Sequence, residues 1–267
     1  MRIMSGVMAA GVAMLFTSVA AQAADTFPTM QSTIKYSTTS GVTSGFNNYA
    51  RAGSQFVYDA ASDTFTVRDA ATGVKSTFGL ANEDTAASNG EFLVFSKNGG
   101  TETFRLLNRG AANPVIQLTY VLYGEWTRTG TTNGTTSVND QFLVGGSRTA
   151  SMPRTGSATY TTMYDGNFVD SAGVHALSGS GGVTANFGSG SVNYTATING
   201  ASSGSLAFSG TGSIDFKGAG FATTSTNGGY TLSQNGIFYG PTANELGGLF
   251  RITNGVGNGQ GAFVGKQ

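Results

Sequence analysis

From residue 24 onward the chain alternates with a period of two and almost nowhere with the ~3.6-residue period of a helix. Leu206–Lys217 shows the pattern best. One face carries Leu206, Phe208, Gly210, Gly212, Ile214 and Phe216, and the other Ala207, Ser209, Thr211, Ser213, Asp215 and Lys217. An apolar face opposite a polar one is the mark of a half-buried strand, and glycines on the apolar face mark a bend or a close approach of another strand. Val192–Ile198, Val183–Phe187, Ala158–Tyr164 and Leu118–Trp126 repeat the alternation. Turn signals separate these runs: Gly188-Ser-Gly190, Asn199-Gly200, Asn227-Gly228-Gly229 and Gly257-Asn-Gly259. The stretch Phe187–Val192 reads as a tight hairpin.

From Leu118 the strand candidates are 117–126, 140–145, 156–165, 181–187, 190–198, 205–217, 229–239 and 246–252, with 260–265 as a closing piece. About eight antiparallel strands with one apolar face close a small barrel whose interior is filled by side chains. A two-sheet sandwich fits less well, because few connections are long enough for Greek-key crossovers. The expected fold is therefore all-β: an eight-stranded antiparallel soluble barrel in the C-terminal half, beside a smaller N-terminal β region. That region, 24–113, holds two hairpin-like pairs, Gln55–Tyr58 with Phe65–Arg68 and Glu91–Ser96 with Glu102–Leu107. Gly41–Arg51 and Ala81–Asn89 read as loops. The polar, turn-prone Gly110–Pro114 is the expected boundary, which leaves 114–267 as the barrel domain.

Residues 1–23 read as an export signal. Arg2 is the positive start, Gly6–Ala21 a mainly apolar run, and Ala21-Gln22-Ala23 a small-x-small cleavage site. Composition narrows the class further. The 267 residues include no Cys, and 14 Lys+Arg balance 14 Asp+Glu. Disulfide scaffolds, thiolate metal sites and Cys nucleophiles are out. So is an electrostatic nucleic-acid binder, which needs clustered Lys and Arg. Gly reaches 41 residues without a three-residue period, which removes collagen, and 18 Phe with 10 Tyr are too many for a disordered chain.

Catalytic constellations are missing from the sequence. His175 is the single histidine, set in the loop-like stretch Asp170–Gly179. It reads as an exposed loop residue, with ligation of haem iron as the functional alternative. Gly200-Ala-Ser-Ser-Gly204 matches the nucleophile-elbow pattern, but a strand follows it where an elbow needs a helix. It therefore reads as a hairpin turn. Asp59, Asp63 and Gly210–Asp215 read as turn and strand residues, not as calcium ligands. The chain is expected not to be an enzyme and to carry no resident cofactor or metal.

The C-terminus carries a longer signature. Gly236-Ile-Phe-Tyr-Gly-Pro-Thr-Ala-Asn-Glu-Leu-Gly-Gly-Leu-Phe250 is followed by Gly261-Ala-Phe-Val-Gly-Lys266. Upstream, in order, stand Leu118–Trp126, Met152–Tyr160 and Ala185–Val192. Together these resemble the closing motifs of the transferrin-binding-protein-B-like β-barrel family, over about 115–267. The resemblance implies an eight-stranded barrel beside a handle-like β region, on the cell surface or secreted. It also implies a non-catalytic binding role, in iron or haem acquisition or in host-protein binding. Relatives bind host iron proteins, complement regulators, haem or haemoglobin, and some need an outer-membrane translocon, the surface lipoprotein assembly modulator. The chain departs from typical members in having no Cys to acylate, one lobe in place of two, and no recognisable transferrin-gripping loops. The expected location is thus exported but not lipid-anchored: secreted, periplasmic or surface-associated.

Partners expected on this reading are a host protein or a small solute such as haem. Phe46, Tyr49 and Arg51, an aromatic and basic cluster in an expected loop, are the candidate binding residues together with His175. Phe238, Phe250 and Phe263 are expected barrel-core residues, and Gly240-Pro241 should end a strand. The second reading of the chain is an integral outer-membrane barrel, which would need a lipid-facing apolar band.

Overall fold

A computed structural model describes residues 25–27, 29–37, 45–49, 56–201 and 204–267. Residues 1–23, the expected export signal, lie outside them. The first ten strands are β1 (Asp25–Phe27), β2 (Thr29–Ser37), β3 (Gly45–Tyr49), β4 (Phe56–Asp59), β5 (Thr64–Arg68), β6 (Lys75–Gly79), β7 (Phe92–Lys97), β8 (Glu102–Leu107), β9 (Val121–Thr132) and β10 (Thr135–Gly146). They form a four-stranded sheet, β1-β4-β5-β6, and a six-stranded sheet, β3-β2-β10-β9-β8-β7. Eight more follow: β11 (Ser157–Asp170), β12 (Gly173–Asn186), β13 (Ser191–Ala201), β14 (Gly204–Asp215), β15 (Gly220–Asn227), β16 (Tyr230–Tyr239), β17 (Glu245–Thr253) and β18 (Asn258–Lys266). These close a barrel in sequence order, with β18 returning antiparallel to β11.

The barrel is all-antiparallel and eight-stranded, as the alternation requires, but its boundary moves. It starts at Ser157 and not at residue 114. The candidates at 117–126 and 140–145 became β9 and β10, in the middle of the six-stranded sheet. Their burial explains the difference. Val121–Trp126 and Asp140–Gly146 are buried at every position, so both faces are covered, and the alternation in the sequence does not tell what covers them. Two other segments take their place in the barrel. Gly220–Asn227 is a strand whose inward positions include Thr223 and Ser225, too polar to signal a core face. Asn258–Lys266, the closing piece, is a full wall strand.

The interior is filled by rings lying on glycines. Across the ladders Phe221 pairs with Gly236, Phe263 with Gly248, Phe250 with Gly261 and Tyr194 with Gly210. A Cβ on Gly236 would stand 2.3 Å from the Phe221 ring, one on Gly248 2.5 Å from that of Phe263, and one on Gly261 2.6 Å from that of Phe250. Each glycine therefore makes the space its cross-strand aromatic occupies. Phe238, Phe250 and Phe263 sit in this core, with Tyr160, Tyr164, Phe168 and Phe208. Tyr164 stacks on Phe263 at 5.5 Å between ring centres, and Phe221 meets Phe238 at 5.3 Å.

Outward positions on the free wall are polar and exposed: Thr184, Asn193, Thr195, Thr197, Ser209, Thr211 and Thr224. That face suits water and lacks the apolar band of a lipid-facing barrel. Among the described residues no helix is long and apolar enough to cross a membrane.

Two further cores hold the N-terminal sheets. Phe56, Phe65 and Phe78 of the small sheet pack on Phe95, Phe104 and Trp126 of the large one. The opposite face of the large sheet packs on the barrel wall: Val121, Tyr123, Phe142 and Val144 meet Met163, Leu249, Ala262 and Val264. Local expectations at the ends of strands are mixed. Gly240, at φ +85, and Pro241 do end β16. Asn199-Gly200 is no turn but a bulge inside β13, where Gly200 takes φ +97 and the register with β14 shifts.

Gly248→Ala should cost about 1–3 kcal/mol or more in urea denaturation, because its Cβ would lie 2.2 Å from the Asn235 carbonyl oxygen as well as against Phe263. Gly130→Ala, whose Cβ meets nothing within 4 Å, should change stability by less than about 1 kcal/mol.

Candidate functional site

The contact between the large sheet and the barrel is apolar at one end and polar at the other. Period two puts Tyr123, Glu125 and Thr127 of β9 and Asp140 and Phe142 of β10 on the barrel-facing side. The barrel answers with Asp165 and Asn167, outward positions of β11. Arg105 of β8 forms an ion pair with Glu125 at 2.7 Å and a second with Asp165. Tyr123 donates its hydroxyl hydrogen to Asp165, and Thr127 donates to Asp140 at 2.7 Å. The amide of Asn167 donates to both acids of the sheet, at 3.2 Å to Glu125 and 2.5 Å to Asp140.

Two carboxyl groups thus share one guanidinium in a buried place, with Asp140 beside them held by Thr127 and Asn167. Burial first, and the neighbouring Asp140 charge second, push Glu125 up to about 8. Burial likewise raises Asp140, and it lifts Asp165 to about 6 against the pull of Arg105. Glu125, between Arg105 and Asp140, thus holds a proton more tightly than a free carboxyl does. The cluster can hold a proton and can glue sheet to barrel.

A second carboxylate ties the two parts together further along. Glu245, at the start of β17, accepts backbone N–H bonds from Thr119, Tyr120 and Val121 at 2.6, 2.7 and 3.0 Å. It anchors the incoming end of β9 to the barrel. None of these acids stood out in the sequence. The available signal was their setting: Glu125 and Glu245 are lone charges inside the otherwise uncharged runs Val121–Trp126 and Ala243–Phe250.

The residues that the sequence did single out lie elsewhere. His175 is on β12, not in a loop, paired across the ladder with Phe168. The loop reading failed because His175-Ala-Leu-Ser-Gly-Ser has few large apolar side chains to mark a strand. Its Nε2 faces Asp170 Oδ1 at 3.2 Å and its ring packs on Phe168, 6.5 Å between centres. Phe46 and Tyr49 belong to β3, in register with Ile34 and Gln31 of β2, whereas a loop was expected. Arg51 lies outside the described residues. The elbow-like Gly200–Gly204 joins two strands of a hairpin, and its Ser202 is also outside them. Among the described residues no group of three or more His, Asp or Glu side chains is placed to hold a metal ion.

Models of known protein families match none of the sequence. Solved structures do resemble it. Transferrin-binding protein B from Haemophilus parasuis superposes on 89% of this chain with a TM-score of 0.55 and 18% identity. The same protein from serogroup B Neisseria meningitidis covers 89% with a TM-score of 0.51 and 15% identity. The fold is that of transferrin-binding protein B. This chain spans less than half the length of those proteins, 45% and 43% respectively. The transferrin-binding-protein-B fold thus supplies the arrangement anticipated from the C-terminal motifs, a barrel with a β handle.

The cluster predicts an inverted pH dependence. Unfolded, Glu125 releases its proton near 4.5, and folded only at about 8. Between these values the folded state binds the extra proton, so stability falls as pH rises through the window. Its contribution is complete below pH 4.5 and lost above about 8. Urea midpoints should drop from pH 5 to pH 9 in the wild type, and Glu125→Gln should flatten that slope.

Proposed function

We propose that this chain is a non-catalytic binding protein, exported through residues 1–23 to the cell surface or beyond, with a host protein as its partner. The observation that carries this reading is the fold shared with transferrin-binding protein B over 89% of the chain. An iron-carrier protein of the host is the partner class, and an outer-membrane translocon that recognises the barrel is the expected export partner.

The filled interior supports recognition on the outside. Rings pack closely on glycines among the described inward side chains, so the reading places contact at the strand tips and the handle. One end of the barrel offers apolar anchors. The β11–β12 turn and the β17–β18 turn are neighbours there, since Val169 pairs with Asn258. Val174 and Val256 beside these turns are 41% and 81% exposed, on a wall otherwise built from Thr, Ser and Asn. Exposed apolar side chains ringed by polar ones are the usual core of a protein contact.

Immobilised host transferrin and lactoferrin, probed with the purified chain, test the reading. Binding with a Kd of about 1 μM or tighter is expected. The double substitution Val174→Asp with Val256→Asp should weaken it by about tenfold or more, with an unchanged far-ultraviolet spectrum. No binding to either carrier overturns the iron-carrier reading. Undiminished binding by the double variant moves the contact away from these tips.

A further inference from the structure

The wall of the barrel is paired unevenly. β14 and β15 share four ladder pairs, Gly212–Asp215 with Gly220–Thr223. Beyond them the strands run on as Leu206–Thr211 and Thr224–Asn227, paired on their other sides with β13 and β16 but not with each other. Parity shows which backbone groups enter this gap. The Ile214 N–H donates to the Gly190 carbonyl beside β13, whereas the Ala207 carbonyl accepts from the Asn227 side chain of β15 at 2.7 Å. Odd residues of β14 therefore turn their N–H and C=O toward β15. The Ala219 carbonyl, just before β15, accepts from Phe238 of β16, so the even residues of β15 turn toward β14. Ser209 and Thr226 would exchange bonds if the ladder continued, and both are exposed. We propose that this gap takes up an extended, uncharged segment of a protein partner, which adds as a strand to β14.

Two side-chain bonds stand where the ladder stops. One is Asn227 to Ala207, and the other joins the Tyr194 hydroxyl to Ser225 at 2.6 Å. Neither uses the backbone of Ser209 or Thr226. Two edges of the handle are, by contrast, blocked. On β7 the Asp84 N–H takes the Val94 carbonyl at 2.8 Å, and the Ser88 hydroxyl accepts from the Val94 N–H at 2.9 Å. On β6 the Lys97 ammonium takes the Thr77 carbonyl at 3.0 Å. Blocked edges of this kind prevent stray strand pairing. The core below the gap is also less covered. Leu206 is 6% exposed and Phe208 3%, against 0% for Phe168, Ile198, Leu232 and Phe238.

The gap dictates the chemistry of its occupant. Backbone donors and acceptors that recur at every second residue are matched by another extended backbone. No charged side chain lies in Leu206–Ile214 or Gly220–Gly236, so the segment needs none in return. Small apolar residues at alternate positions would lie over Leu206 and Phe208, with Ser or Thr between them facing water. Pro is excluded, because the added strand must donate its N–H groups. About 20 Å of strand spans Leu206–Thr211. The open end of the gap lies with the β13–β14 and β15–β16 turns, at the same end of the barrel as Val174 and Val256. The source of the segment therefore rests on the strand-tip reading above, and strand addition itself does not.

The test is fluorescence polarisation of a dye-labelled peptide, Ser-Val-Thr-Ala-Thr-Val-Ser, titrated with the purified chain. A Kd of about 100 μM or tighter is expected. Ser209→Pro removes an N–H from the gap and no ladder bond, and should weaken the peptide by about tenfold or more. Ser209→Ala keeps the N–H and should bind as the wild type does. Hydrogen exchange on the wild-type chain reads the same site without any variant. The amides of Ala207, Ser209 and Thr226 should exchange fast when free and about tenfold or more slowly at saturating peptide. No binding at about 1 mM, ten times the expected limit, overturns the proposal. So do wild-type affinity in Ser209→Pro, weakened affinity in Ser209→Ala, or slow exchange of these amides without peptide. Binding of a host carrier without binding of the peptide overturns strand addition alone. Binding of the peptide without either carrier overturns the iron-carrier reading alone.

Discussion

The structure depends on a packing device inside the barrel: four of its large rings lie opposite a glycine on the next strand. They are Phe221 over Gly236, Phe263 over Gly248, Phe250 over Gly261 and Tyr194 over Gly210. An eight-stranded barrel is too narrow for large side chains at every inward position. Removing the Cβ at alternate places lets the backbones stay in register while the rings lie flat across the ladder. The abundance of glycine is thereby placed. It serves the interior as much as the turns.

A filled barrel transfers function to its outer surfaces, and the six-stranded sheet takes one of them. The central strands β9 and β10 are covered on both faces, by the small sheet on one side and the barrel on the other. Apolar packing holds one end of the barrel contact. The other end rests on Arg105, Glu125, Asp140, Asp165 and Asn167, joined by ion pairs and hydrogen bonds. Glu245 fixes the chain as it passes from loop to β9. These acids join handle and barrel at the buried seam.

Much of this was legible in the chain. The alternation in Ala158–Tyr164, Val183–Phe187, Val192–Ile198 and Leu206–Asp215 marked walls of the barrel, and Phe238, Phe250 and Phe263 were marked as core. The misreadings share a cause. β9 and β10 were assigned to the barrel because alternation reports which side chains share a face, not what covers that face. The first half of β12, with His175, passed as a loop and β15 went unassigned, because most of their inward residues are small or polar. Their strand state comes from neighbours that supply the hydrogen bonds and the packing. The grouping of the contact was invisible for the same reason: Arg105, Glu125, Asp140 and Asp165 are 15 to 60 residues apart, and nothing local brings them together.

By itself the sequence determined the class, all-β and antiparallel, and the stock of rings and glycines from which a small barrel can be packed. These follow from local periodicity, which any short window of the chain contains. Only the tertiary structure decided that the barrel opens at Ser157, that β18 closes on β11, and that three acids and one arginine meet at a buried seam. Those outcomes are set by pairings between distant segments, and the energy that selects them, burial of faces and neutralisation of charge, exists only once the segments are in contact.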